Sequence, residues 1–130
     1  MCLVLAFTGA VPLSRADGPA DNLAGQVRRI PKLGIDVPAA DRRELEQGLA
    51  KLAAAIQLLA KKTDARTKTL LPDVQVFYKA VHDALKHQEF FDAKELPVAK
   101  GLLAEGQQRA EQLAGGQAPW TTQTGLVVRG

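Results

Sequence analysis

The 130 residues suffice for one domain at most, and 46% hydrophobic with 24% charged residues argues against a chain that is disordered throughout. Lysine and arginine outnumber aspartate and glutamate by 17 to 14, and basic pairs such as Arg28–Arg29, Arg42–Arg43 and Lys61–Lys62 are interspersed with acids. Because no basic block with interleaved aromatic residues accompanies this charge of +3, we expect solvated helix faces and no nucleic-acid partner.

Residues 1–16 resemble a secretory signal peptide. An apolar run from Cys2 to Leu13 is too short to span a bilayer, and Ser14 and Ala16 then supply the small residues of a cleavage site. We therefore predict an exported protein, periplasmic or extracellular, with no stable membrane insertion after signal cleavage. Since no basic residue precedes the run, the signal is predicted to be truncated or its start codon to be placed too late. A buried apolar strand or helix is the alternative.

Residues 17–40 carry three prolines and three glycines in 24 positions, and no hydrophobic period survives among them. This composition predicts an extended leader or linker that lies over the surface.

Residues 41–114 predict three amphipathic helices. The first begins at Asp41, where Asp41 and Glu44 match an N-cap with a capping box; the second begins at Pro72. The third opens between Asp92 and Pro97 and ends at Gly115–Gly116. Apolar residues recur at three- and four-residue spacing on one face of each helix: Leu45, Leu49, Leu52, Ile56 and Leu59; Val74, Phe77, Val81 and Leu85, with Tyr78 at the edge; Leu96, Ala99, Leu103, Gly106, Ala110 and Leu113.

Small residues near the first stripe, Gly48, Ala53 and Ala60, would let a partner helix approach closely, whereas Lys51, Lys61 and Lys62 would face water. The predicted fold class is all-α: a small three-helix antiparallel bundle with an extended N-terminal leader and a C-terminal orphan β-strand. A core of this size supplies only about 3–5 kcal/mol, so the bundle is expected to depend on a further contact.

Residues 115–130 are predicted to be a linker followed by the first strand of a missing downstream domain. Pro119 and Trp120 indicate an anchor packed over helix ends, and the threonines and valines of TTQTGLVVRG favour a strand. A single strand cannot satisfy its own backbone, so the rest of its sheet would lie beyond Gly130.

The residues offer no candidate site: we predict no catalytic, cofactor-binding or metal-ligating residue. Ser14 is the only serine and Cys2 the only cysteine, and both leave with the signal. His82 and His87 are five apart, which places them about 140° apart around a helix, too far to share a metal ion. Asp83 and His87 are four apart and predict a surface pair.

Three stretches, GIDVPAADRRELEQGL, LPDVQVFYKAVHDALKHQEFFD and above all GGQAPWTTQTGLVVRG, resemble the N-terminal region of exported prolyl oligopeptidase-like serine hydrolases of planctomycete-type bacteria. The resemblance covers residues 34–130. It implies a helical N-terminal region, then a β-rich segment and an α/β-hydrolase domain with a Ser, Asp, His triad. That triad would lie downstream, and no catalytic residue is carried onto this sequence.

The sequence is thus interpreted as a helical accessory segment of an exported serine hydrolase or peptidase, structural or active-site-shielding. Its expected partner is the downstream α/β-hydrolase domain of the same polypeptide. An independent periplasmic helical binding or assembly module is the alternative. A self-contained enzyme is a third possibility, but the chain shows no convergent set of catalytic residues.

Overall fold

The structure is a computed structural model that describes residues 32–130. The predicted signal peptide and the predicted leader up to Pro31 lie outside the described residues. The helices are α1 (Ala39–Ala60), α2 (Ala65–Leu70), α3 (Pro72–Lys86) and α4 (Glu95–Ala114), followed by a 3-10 turn at Pro119–Thr121.

The three long helices pack together, which confirms the all-α prediction. Helices α1 and α4 run in the same direction, because Lys100 contacts Asp41 near their starts (2.9 Å) and Lys62 donates to the carbonyl of Ala114 at their ends (2.6 Å). Helix α3 runs the opposite way, since its start at Asp73 lies beside Arg109, late in α4. Consecutive long helices are therefore antiparallel.

The predicted apolar stripes form the core. All but one of the stripe residues are buried, and Tyr78 lies at the edge of its face as predicted; the exception is Ile56, which is half-buried. The core also holds residues outside the helical stripes: Leu70, Phe90, Ala118 and Trp120.

Two glycines set how closely the helices approach. A Cβ on Gly106 of α4 would lie 2.8 Å from both Leu52 Cδ2 and Phe77 Cβ, and one on Gly48 would lie 2.8 Å from Leu103 Cδ1. The predicted close approach thus holds at Gly48. It does not hold at Ala60, which is exposed.

The predicted capping box at the start of α1 is wrong. The helix begins two residues earlier, at Ala39, after Pro38 with an extended backbone and no side-chain cap. Alanine has the highest helix propensity and proline has a fixed φ, so Pro38-Ala39-Ala40 starts the helix without a polar cap. Asp41 then lies in the first turn, where it accepts a hydrogen bond from Lys100 instead.

Helix α2 was not predicted from the sequence. Asp64 caps it by accepting a hydrogen bond from the backbone N–H of Thr67 at 2.8 Å, and this contact lowers the pKa of the Asp64 carboxyl. Thr67 and Leu70 are its buried residues. The short helix lies in the connection between α1 and α3.

The predicted C-terminal strand is also wrong, because residues 32–130 contain no strand. After the turn at Pro119–Thr121 the tail is irregular and folds back onto the bundle, where Val127 packs against the core. The tail residues have high β-propensity, but no other strand in the described part of the chain is available to pair with them. Their packing against the helices therefore determines their conformation. Trp120 is buried, as the anchor prediction required.

The N-terminal segment 32–38 contacts the α3–α4 connection. The N–H of Gly34 donates to the carbonyl of Gln88 (2.6 Å), and the N–H of Ile35 donates to that of Phe90 (2.7 Å). A side chain on Gly34 would overlap the carbonyl oxygen of Phe90. This part of the predicted leader therefore pairs with the bundle.

Candidate functional site: the tail anchor and the α3 groove

Asp73, in the first turn of α3, is the main attachment point of the tail, and its side chain is only 5% exposed. One carboxylate oxygen accepts from the indole N–H of Trp120 at 2.9 Å and lies 3.1 Å from the guanidinium of Arg129. The other accepts from the backbone N–H of Gly130 at 2.8 Å. A carboxylate at a helix start is also favoured by the helix dipole.

Arg109 of α4 is the second attachment point. Its buried guanidinium lies over the rings of Phe77 (4.7 Å) and Trp120 (5.2 Å), an arrangement in which cation–π attraction contributes. It donates to the carbonyl of Val128 at 2.7 Å and to the carboxylate of Glu105 at 2.8 Å. The charge is therefore paired rather than buried alone, which a folded protein requires.

Together Asp73, Arg109, Trp120 and the backbone of residues 128–130 form what we call the tail anchor. Each buried charge has a partner of opposite sign. Trp120, Val128, Arg129 and Gly130 of the tail each contact Asp73 or Arg109 of the bundle. The anchor fixes the direction in which the chain leaves the helices.

A groove of about 620 Å³ lies beside the anchor, along the exposed side of α3. We call it the α3 groove; its walls come from α1, α3 and the backbone of Gly130: Ile56, Pro72, Gln75, Val76, Tyr78, Lys79, His82, Asp83 and Gly130. The Tyr78 and His82 rings stack with centroids 5.3 Å apart. Most of the wall near Gly130 is apolar, and the polar residues gather at the far end.

Asp83 is the centre of that polar end. It pairs with Lys79 and lies 3.0 Å from Nδ1 of His82. The contact with Lys79, followed by that with His82, lowers the pKa of Asp83 to about 2, and the same ion pair raises the pKa of Lys79. The predicted side-chain pair between Asp83 and His87 is wrong: His87 is the C-cap residue after the last residue of α3, and its backbone N–H donates to the carbonyl of Asp83.

His82 and Asp83 have the geometry of an imidazole oriented by a carboxylate, which is one half of a proton-transfer site. The groove wall offers it no serine, threonine or cysteine to activate. Lys79 neutralises the same carboxylate, so the three side chains are accounted for as a surface ion-pair network.

A second polar cluster lies where α1 and α4 start. Lys100 bridges Glu44 and Asp41, and these contacts raise the pKa of Lys100, with the larger effect from Glu44. The cluster ties the two helices together. Among residues 32–130, no three His, Cys, Asp or Glu side chains are grouped to hold a metal ion.

No helix in the described part of the chain is long and apolar enough to cross a membrane. Comparison with protein-family models, with curated proteins and with solved structures gives no significant match.

Of the tail anchor, Trp120 was predicted from the sequence, whereas Asp73 and Arg109 were not. An acid such as Asp73 in the first turn of a helix is ordinary, so its position in the sequence indicated no further role. Arg109 carried one usable signal. It falls within the apolar stripe of α4, after Gly106 and directly before Ala110. A charged residue buried at such a position needs a partner.

Proposed function

We propose that this chain is the helical N-terminal accessory segment of an exported, prolyl oligopeptidase-like serine hydrolase or peptidase. In this proposal its role is structural or active-site-shielding, and the catalytic triad belongs to a downstream α/β-hydrolase domain of the same polypeptide. The bundle contributes no catalytic residue of its own.

The observation that carries the proposal is the tail anchor. The stretch with the most distinctive resemblance, GGQAPWTTQTGLVVRG, is also the one that Asp73 and Arg109 hold against the helices. A flexible linker would leave two domains free to move, whereas an anchored tail presents the following domain in a defined orientation. Such rigid placement is what a shielding element needs.

The test is deletion of residues 39–114 from the full-length hydrolase. We expect a lower thermal midpoint and a gain in hydrolysis of bulky substrates relative to small ones, because the approach to the active site is widened. Replacing exposed Leu126 by serine in the full-length enzyme serves as the control and should leave both unchanged. Unchanged stability together with unchanged size selectivity after the deletion would refute the role.

The alternative, an independent periplasmic binding or assembly module, is favoured by one feature of the α1–α4 side. Leu58 is 66% exposed there, beside a shallow groove lined by Ala55, Ala110 and Ala114. A partner helix could pack on such a surface. A stable monomer whose last ten residues are dispensable would support this function over the accessory one.

A further inference from the structure

The α3 groove begins where the tail anchor ends. The backbone of Gly130 forms part of its wall, and the N–H of Gly130 is held by Asp73. The fit there is close, because a Cβ on Gly130 would overlap the carbonyl oxygen of Pro72. A chain that continues from Gly130 therefore starts at the mouth of the groove.

We propose that the α3 groove is the docking surface for the first residues that follow Gly130 in the full-length hydrolase; this inference rests on the proposed function. These residues would lie along α3 in an extended conformation and cover Val76, Tyr78 and His82. The groove thus identifies the face of the bundle that meets the downstream domain.

The length of the groove sets the length of its occupant. From Pro72 to Asp83, α3 rises about 16 Å, at about 1.5 Å per residue. An extended chain advances about 3.3 Å per residue, so about five residues reach the polar end. Because the first of them is tethered at the mouth, docking is intramolecular and does not need high intrinsic affinity.

The chemistry of the groove sets the character of the occupant. Ile56, Val76 and the Tyr78 ring form an apolar wall. Lys79 and Asp83 pair with each other, so the polar end offers little net charge to a strongly acidic or basic segment. We expect a segment with apolar side chains at alternate positions, because alternate side chains of an extended chain point to the same side.

Cysteine labelling measures whether the groove is covered. The chain has one cysteine, Cys2, so Cys2→Ser gives a clean background for Gln75→Cys in the groove. Maleimide labelling of the peptide that holds position 75 is followed by mass spectrometry in the 130-residue chain and in the full-length hydrolase. Gln108→Cys, on α4 and outside the α3 groove, is the matched control.

We expect labelling at position 75 to be on the order of tenfold slower in the full-length protein, since the reagent then has to wait for local opening. Labelling at position 108 should be equal in both proteins. Gly130→Ala, or Gly-Ser replacement of the five following residues, should restore fast labelling at position 75.

Each contrary result has a distinct meaning. Equal rates at position 75 in an active full-length hydrolase would overturn the docking and leave the proposed function standing. Slow labelling that persists after the Gly-Ser replacement would mean that another surface of the downstream domain covers the groove. It would contradict docking by the residues that follow Gly130. A reading frame that ends at Gly130 would overturn the proposed function and the docking together.

Discussion

At the residue scale, the tail is held by side chains whose partners are far away in the sequence. Asp73 contacts Trp120 and Gly130, and Arg109 contacts Val128 and the carbonyl of Asp73. Trp120 was predictable as an anchor because a lone tryptophan after a helical region seldom stays exposed. Its partners were not, since a local pattern does not say which acid or arginine will meet it.

Asp73→Asn should destabilise the fold by about 1–3 kcal/mol, because an amide nitrogen would then face one of three donors and the negative charge beside Arg129 would be lost. Chemical denaturation measures the loss. In a double-mutant cycle with Trp120→Phe, we expect a coupling of about 0.5–3 kcal/mol. Strict additivity of the two changes would show that the hydrogen bond contributes nothing.

Asp83 makes the stability depend on acidic pH. Its pKa is lowered to about 2 in the folded protein, from an ordinary value near 3.8. At a pH above that ordinary value the carboxyl is ionised and its contacts stabilise the folded protein. This contribution is lost as the pH falls from about 4 toward 2. We expect Asp83→Asn to reduce the change in the free energy of unfolding over that pH range. Urea denaturation at several pH values measures this change.

The control for Asp83→Asn is Asp36→Asn, which makes the same chemical change at an exposed carboxyl of the N-terminal segment. A slope for Asp83→Asn that matches the unsubstituted protein would contradict the assigned ion pair.

At the element scale, periodicity predicted the three long helices and their buried faces, because a stripe at helical spacing depends only on nearby residues. Periodicity did not predict the helix boundaries or the short helix. Helix α1 begins at Ala39 rather than Asp41, and the six-residue α2 was overlooked, since one capping aspartate is a weak signal beside a strong stripe. The C-terminal strand failed because β-propensity has structural meaning only with a neighbouring strand.

Gly106 and Gly101 of α4 provide a matched pair for testing the helix crossing. Gly106→Ala places a methyl 2.8 Å from Leu52 and Phe77, so we expect a net loss of about 1–2 kcal/mol despite better helix propensity. Gly101→Ala meets nothing within 4 Å and should stabilise α4 by about 0.5–1 kcal/mol. Thermal unfolding followed by circular dichroism compares them; stabilisation by both changes would contradict the close packing.

At the scale of the whole molecule, the tail belongs to the folded unit. Removing Thr121–Gly130 deletes the contacts of Arg129 and Gly130 with Asp73 and the contact of Val128 with Arg109. Buried Asp73 then lacks its cationic partner, and Arg109 loses one of its hydrogen-bond acceptors while it keeps Glu105. We expect a loss of about 1–3 kcal/mol, a large share of what a small core supplies. Denaturant unfolding measures it, with Leu126→Ser as the neutral control. A truncated chain of full stability would favour the independent module.

The all-α bundle was thus predictable as a whole, whereas the anchored tail was not, because no pattern within ten residues encodes contacts across 47 or 57 positions. The accessory function stays a proposal, supported by the resemblance and by the anchor.

The proposed function requires that these helices precede a hydrolase domain in one polypeptide. The most direct test is to sequence the encoding DNA past the codons for residues 1 and 130. We expect an open frame that continues into strand-forming segments and a Gly-x-Ser-x-Gly motif, with the basic start of the signal peptide upstream. A stop codon directly after Gly130 would contradict it.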